Sequence, residues 1–268
     1  MDSTSWLKQG DTILFEDVLW SRPENKRFAG KLLIIGGHKQ SFNAVSDAYA
    51  AALKSGIGTA RVILPQSLKS MLKTVFPEAE FAPSNPIGSF SRDALATWLE
   101  AAEWADGVLL AGDFGRNSET AVLIDSFIKK YEGPLGITGD AIEYFNANSG
   151  ELLQTYNAVI TAGVDKLQKL ALPQTALRQQ DDLAQLVQKL SKLTDMIEAN
   201  LVTHHAGNVL VARYGKVSTT LVNDFEVEKA AAYSIVWLLQ QPQKPFEALT
   251  TAAYCYASNQ SNGGRGGT

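Results

Sequence analysis

A three-layer α/β fold, with helices on both faces of a mostly parallel central sheet and an antiparallel edge, is predicted by three features of this 268-residue chain. Short continuous apolar runs alternate with helical stretches from Lys31 to Thr161, as in sheets buried on both faces. The first of these runs, Lys31-Leu32-Leu33-Ile34-Ile35-Gly36-Gly37, closes on two glycines. Beyond Asn200 the pattern changes to three short strands joined by tight turns.

Taken in order, the first 30 residues mix aromatic and charged side chains and read as a wrapping segment with one short helix. The strand at Lys31–Gly37 leads into an alanine-rich helix, Ala44–Ser55, with Gly56 at its C-cap. A second strand, Thr59–Leu64, stops at Pro65 and completes a βαβ unit whose crossover is right-handed. A helix over Gln66–Lys73, a strand at Glu80–Ala82, a helix over Arg92–Glu103 and a strand at Gly107–Ala111 continue the alternation. A helix over Ser118–Lys130 and strands at Leu135–Thr138 and Ala158–Thr161 follow.

Between Asp181 and Asn200 the residues Leu183, Leu186, Val187, Leu190, Leu193 and Ile197 recur at spacings of three and four, one apolar stripe of a helix that faces core or a subunit contact. Strands at Leu201–Thr203, Asn208–Arg213 and Val217–Leu221 form the antiparallel edge. Helices over Glu226–Gln240 and Pro245–Ser258 end the fold. One domain over residues 1–260 is expected, with a Gly- and Asn-rich disordered tail over 261–268.

Composition narrows the function classes. The hydrophobic share is 45% and the formal net charge −4, with Lys and Arg dispersed, which argues against a nucleic-acid partner. No apolar run approaches the ~20 residues that span a bilayer, and the amino terminus has no apolar signal core, so no membrane partner and a cytoplasmic address are expected. The single cysteine, Cys255, excludes an internal disulfide framework and reads as a buried structural thiol.

Several residues stand where chemistry could occur. Gly36 and Gly37 either let a ligand approach the end of the first strand or make a tight strand-to-helix turn. His38 is a ligand contact or a solvated loop histidine. Asp140 could hydrogen-bond a ligand hydroxyl or be the N-cap of a helix near Ala141–Phe145. Arg116 and Lys166 are a phosphate pair or surface charges. His204 and His205, adjacent on a strand, point to opposite faces, so one shared metal ion is not expected.

Arg22-Pro23, Lys26, Gly30, Leu32–Gly37, Ala48–Ser55 and Gly56-Ile57-Gly58 before Pro65 form a run of motifs, followed by Phe76-Pro77-Glu78-Ala79, Ala111–Thr120 and Thr138-Gly139-Asp140-Ala141-Ile142. In order and local pattern they resemble the ADP/ATP-dependent NAD(P)H-hydrate dehydratases, a ribokinase-like family related to the carbohydrate kinases, of which the chain reads as a divergent member. The resemblance implies a ribokinase-like fold, a lyase that repairs hydrated NADH and NADPH with ATP or ADP, a small-molecule or nucleotide ligand, no bound metal and a homo-oligomer. It places ligand contacts at Gly36, Gly37, His38, Asn43, Asp113, Gly115, Arg116, Asp140 and His204.

The family's "GTGD" motif offers backbone N–H groups to a phosphate at a helix N-terminus and an Asp as base. The corresponding stretch here, Asn223-Asp224-Phe225-Glu226-Val227-Glu228-Lys229, has no glycine, and its two glutamates would repel a phosphate. Asp224 becomes the base only with a shifted register; otherwise it reads as an N-cap, with Glu226 and Glu228 favouring the first helical turn. The family's "TPHxxE" becomes Thr161-Ala162-Gly163-Val164-Asp165-Lys166, "LKG" becomes Val202-Thr203-His204-His205, and Asp113 replaces a glycine in the loop before Arg116. The expectation is a diverged homologue with impaired or lost catalysis; the alternative is a non-catalytic small-molecule-binding or structural pseudoenzyme.

Overall fold

The computed structural model describes residues 5–145, 149–172 and 174–263. Ten strands form one sheet: β1 Trp6–Gln9, β2 Lys31–Gly36, β3 Thr59–Pro65, β4 Ala79–Ala82, β5 Gly107–Gly112, β6 Leu135–Ile137, β7 Ala158–Thr161, β8 Asn200–His205, β9 Asn208–Arg213 and β10 Lys216–Leu221. Their spatial order is β1-β10-β9-β8-β7-β6-β5-β2-β3-β4. From β8 to β4 every pairing is parallel, whereas β9 runs antiparallel to both β8 and β10.

The continuous apolar runs are buried on both faces. In β2, Leu33 and Ile35 join a core with Trp98 and Phe127, while Leu32 and Ile34 join one with Val45 and Trp237. The first layer contains α4 Ala94–Trp104, α5 Ser118–Ile128, α6 Ser149–Leu153, α7 Val164–Ala171 and α8 Leu183–Thr194. The second contains α1 Glu16–Trp20, α2 Asn43–Lys54, α3 Lys69–Leu72, α9 Val227–Gln240 and α10 Pro245–Gly263.

Several elements differ from the sequence expectation, among them α6 and α7, which were not expected. The amino-terminal segment supplies a strand: β1 pairs parallel with β10, from Trp6 opposite Val217 to Gln9 opposite Thr220. Four residues of mixed character carry no periodic signal. The strand is fixed from afar by Gln9, whose buried amide donates to Thr220 Oγ1 and to the Thr250 carbonyl at 3.0 and 2.9 Å. The helix expected over Gln66–Lys73 is a 3₁₀ turn, Gln66–Leu68, followed by the single turn of α3. The helix expected over Asp181–Asn200 is shorter. A capping box between Asp182 and Gln185 starts α8 at Leu183, and Asn200 already belongs to β8, where its amide donates to the Ala158 carbonyl. Leu186, Val187, Leu190, Leu193 and Ile197 are buried core, as the stripe required.

α10 runs to Gly263, three residues into the stretch that composition assigned to a disordered tail; residues 264–268 lie outside the described residues. Cys255 is half-buried rather than buried, and desolvation pushes its thiol up, opposed by Arg22.

Candidate functional site

Successive crossovers carry β3 and β4 to one side of β2, and β5, β6, β7 and β8 to the other. The order therefore reverses between β2 and β5, and the crevice at their carboxyl ends is where an open α/β sheet offers ligand space. Gly36, Gly37, Asp113, Gly115 and Arg116 all lie on the two segments that leave this switch point.

The two glycines are demanded by the backbone around them. A Cβ on Gly36 would stand 2.4 Å from the Gly112 carbonyl oxygen and 2.8 Å from Val45 Cγ2. Gly37 has φ +89° and donates to that same carbonyl at 2.9 Å. The strand-to-helix turn is thus packed by the protein's own atoms. His38 forms a reciprocal pair with Ser41, its N–H donating to the Ser41 carbonyl at 2.8 Å and its carbonyl accepting from the Ser41 N–H at 3.0 Å. Its ring lies against Gly115, where a Cβ would meet His38 Cδ2 at 2.8 Å.

Asp113 takes the left-handed conformation, φ +58°, that a glycine would adopt at less cost. Its carboxylate accepts from Ser41 Oγ at 2.7 Å and from the Ala44 N–H at 3.0 Å. It therefore caps the N-terminus of α2 from outside the helix, beside the exposed Asn43. Sequence reasoning gave Asp113 a place in the ligand path; the structure directs its charge into α2.

Asp140 does not cap the turn at Ala141–Phe145. Its two carboxylate oxygens reach across to the loop after β5 and accept from Phe114 N–H and Gly115 N–H, each at 3.2 Å. Burial raises its pKa, with the two amides and Lys166 acting downward and Asp113 upward. Tyr144 Oη donates to the Gly115 carbonyl, so this loop is held from two sides. Arg116 and Lys166 share one acidic partner. Both pair with Glu143, at 3.1 and 3.5 Å, and Lys166 Nζ also donates to the Gly139 carbonyl at 2.8 Å. Arg116 stays exposed at the rim, and Lys166 is half-buried.

The N-terminus of α9 closes the other side. Asp224 is not its N-cap: its carboxylate accepts from the next residue's N–H, that of Phe225, and Glu226 holds the cap position without a side-chain cap bond. The Glu226 N–H donates instead to Tyr256 Oη at 2.7 Å, and its carboxylate pairs with Lys229. Glu228 is half-buried and, among the described residues, has no cation within ion-pair distance. Burial raises its pKa; Asp113 and Asp47 push the same way, while its own backbone N–H and Lys166 oppose. This helix start carries Glu226 at the cap, Glu228 and Lys229 in the first turn and no glycine, and the cap N–H is already taken by a tyrosine hydroxyl.

His204 stacks on Phe225, with centroids 5.0 Å apart and planes 9° from parallel, and burial lowers its pKa. His205 points to the other face, where its Nε2 lies 2.7 Å from the Asp181 carbonyl. Among the described residues no group of three His, Cys, Asp or Glu side chains is placed to hold a metal ion.

The residue that sequence reasoning undervalued is Glu228. Its signal was present: Glu228, Ala231, Ala232 and Ile235 follow helical spacing, so the carboxylate shares the face that α9 buries on the sheet.

Comparison with known proteins agrees with this architecture. No family model matches the chain. A bifunctional NAD(P)H-hydrate repair enzyme of Salinibacter ruber is 24% identical over 236 residues, 85% of this chain and 43% of that protein. The corresponding enzyme of Methanocaldococcus jannaschii is 29% identical over 130 residues, 47% of this chain and 25% of that protein. The chain thus spans less than half the length of these curated relatives. Among solved structures, a ribokinase-like superfamily protein of Enterococcus faecalis superposes with a TM-score of 0.75 at 19% identity, covering 99% of this chain and 91% of that one. The ADP/ATP-dependent NAD(P)H-hydrate dehydratase of Bacillus subtilis, co-crystallized with ATP and Mg²⁺, superposes with a TM-score of 0.65 at 13% identity, covering 96% and 92%. The fold is ribokinase-like, and the chain is similar in sequence to NAD(P)H-hydrate repair enzymes.

Proposed function

We propose that this chain is a diverged homologue of the NAD(P)H-hydrate dehydratases that keeps the crevice of the fold and has lost nucleotide-driven dehydration. One observation carries the reading: the first turn of α9 brings Glu228 into the crevice with no cationic partner among the described residues. Phosphoryl chemistry depends on neutralising charge that develops on phosphate oxygens, and preorganised N–H donors and cations do that work. A half-buried carboxylate at that point acts in the opposite sense. Of the lysines near this helix start, Lys229 is paired with Glu226, and Lys166 is held by Glu143 and the Gly139 carbonyl.

The crevice then serves as a small-molecule site without turnover. By this reading the residues offered to the ligand are His38, Asp113, Gly115, Arg116 and Asp140 around the end of β5, Asn43 at the start of α2 and His204 near the end of β8. The test is direct. Purified protein is incubated with hydrated NADH and either ATP or ADP, and NADH absorbance is followed while nucleotide binding is measured by calorimetry. No NADH formation above the protein-free rate is expected, and steady formation proportional to protein concentration overturns the reading.

A further inference from the structure

A cavity of about 170 Å³ lies among the second halves of α2 and α10 and the first turns of α9. None of the residues assigned above to a crevice ligand lines it. Ala50 and Ala51 give it an apolar side. Every polar side chain on its wall brings an N–H or O–H donor, and among the described residues no carboxylate lines it. Tyr233, on this wall, is only 3% exposed, and its hydroxyl accepts from Asn259 Nδ2 at 3.0 Å. The hydroxyl's own proton has no acceptor among the described residues, and burial holds it in place by raising the pKa.

Two cations reach this cavity from different helices. Lys54 Nζ, on α2, lies 3.3 Å from the Asn259 carbonyl, and the exposed side chain pairs with no carboxylate among the described residues. Lys229, on α9, pairs with Glu226 one turn back, which uses one of its three N–H donors. A wall of donors that includes two ammonium groups suits an anion. We propose that the cavity among α2, α9 and α10 binds a small organic acid, its carboxylate received by Lys54, Lys229 and the Tyr233 hydroxyl and its carbon chain laid against Ala50 and Ala51. An amine would meet two like charges, and inorganic phosphate would satisfy the donors while leaving the alanine side bare. The volume sets the size: drug-sized ligands fill ~300–1,000 Å³, so only a chain of a few carbons enters here. The inference stands apart from the crevice and holds whether or not dehydration is lost.

Titration of the full chain with butyrate, with its neutral isostere butyramide and with inorganic phosphate, at constant ionic strength, tests it through backbone amide shifts. Butyrate is expected to give saturable shifts around Lys54, Lys229 and Tyr233, and butyramide to bind about tenfold more weakly or not at all. Lys54→Met should weaken butyrate about three- to tenfold, and Tyr233→Phe by a few fold. Lys54 is exposed, so its variant reports on the site even where Tyr233→Phe loses stability along with the bond from Asn259. Shifts that do not saturate, that fall outside these three helices, that butyramide reproduces at the same concentrations, or that Lys54→Met leaves unchanged overturn the proposal. Phosphate that binds more tightly than butyrate overturns the assignment to an organic acid.

Discussion

Replacing Asp113 by alanine and by glycine separates two opposed effects at the switch point. Both changes remove the carboxylate and with it the hydrogen bonds to Ser41 Oγ and the Ala44 N–H. Such a charge-assisted cap is worth about 1–3 kcal/mol, and the half-buried setting and access of water to Ser41 put the loss near the lower end. The two variants then differ only in how they tolerate φ +58°. An L-residue held in the left-handed region costs roughly 1–2 kcal/mol, while glycine gives back about 0.4–1 kcal/mol through greater freedom of the unfolded chain. Asp113→Gly is therefore expected to be more stable than Asp113→Ala by about 1 kcal/mol, the reverse of the usual order for these residues. Urea unfolding at 25 °C and pH 7 measures both on the same baseline, provided the slopes agree. An alanine variant as stable as the glycine variant would falsify the account, because the backbone at Asp113 would then carry no strain.

Two further outcomes follow from the crevice. Burial raises the pKa of Glu228 above the ordinary glutamate value of 4.5, so the folded state binds a proton more tightly than the unfolded chain. Its contribution to stability is full below that value and is lost as pH rises through the raised folded pKa; Asp140 acts in the same direction. The variant Glu228→Gln should then gain stability over the parent as pH rises toward neutrality and converge with it in acid, and parallel pH–stability curves would count against the assignment. At the start of α9, Tyr256 Oη accepts from the Glu226 N–H at 2.7 Å and from Gln260 Nε2 at 2.8 Å, and burial pushes its hydroxyl up to about 12. Tyr256→Phe should cost about 1–2 kcal/mol and speed hydrogen exchange at Glu226; unchanged exchange there would show that the tyrosine does not hold the helix end.

Much of the sheet was legible because strands buried on both faces leave continuous apolar runs. β2, β3, β5 and β7 appeared close to their observed positions, as did the antiparallel β9 and β10. β1, α6 and α7 were not read. β1 is a four-residue edge strand whose register depends on Trp6, bonded through its indole N–H to Thr219 Oγ1, and on Gln9, partners some two hundred residues away. α7 is only eight residues long; its buried Val164, Leu167, Leu170 and Ala171 recur at spacings of three and four, but over barely two turns.

The candidate site divides in the same way. The sequence by itself determined which residue types meet at the carboxyl ends of the strands: glycines leaving β2, an aspartate where a glycine is usual after β5, and glutamates where an anion hole needs bare backbone. Those follow from local chain order. Only the tertiary structure decided what each charge faces. Asp113 turned from the crevice to cap α2, Asp140 reached back to Phe114 and Gly115, and Arg116 and Lys166 converged on Glu143. Glu228 was left as the carboxylate whose partner is not another described side chain. Pairing of charges is a matter of distance in space, and distances across the switch point are set by packing between elements that local sequence does not relate.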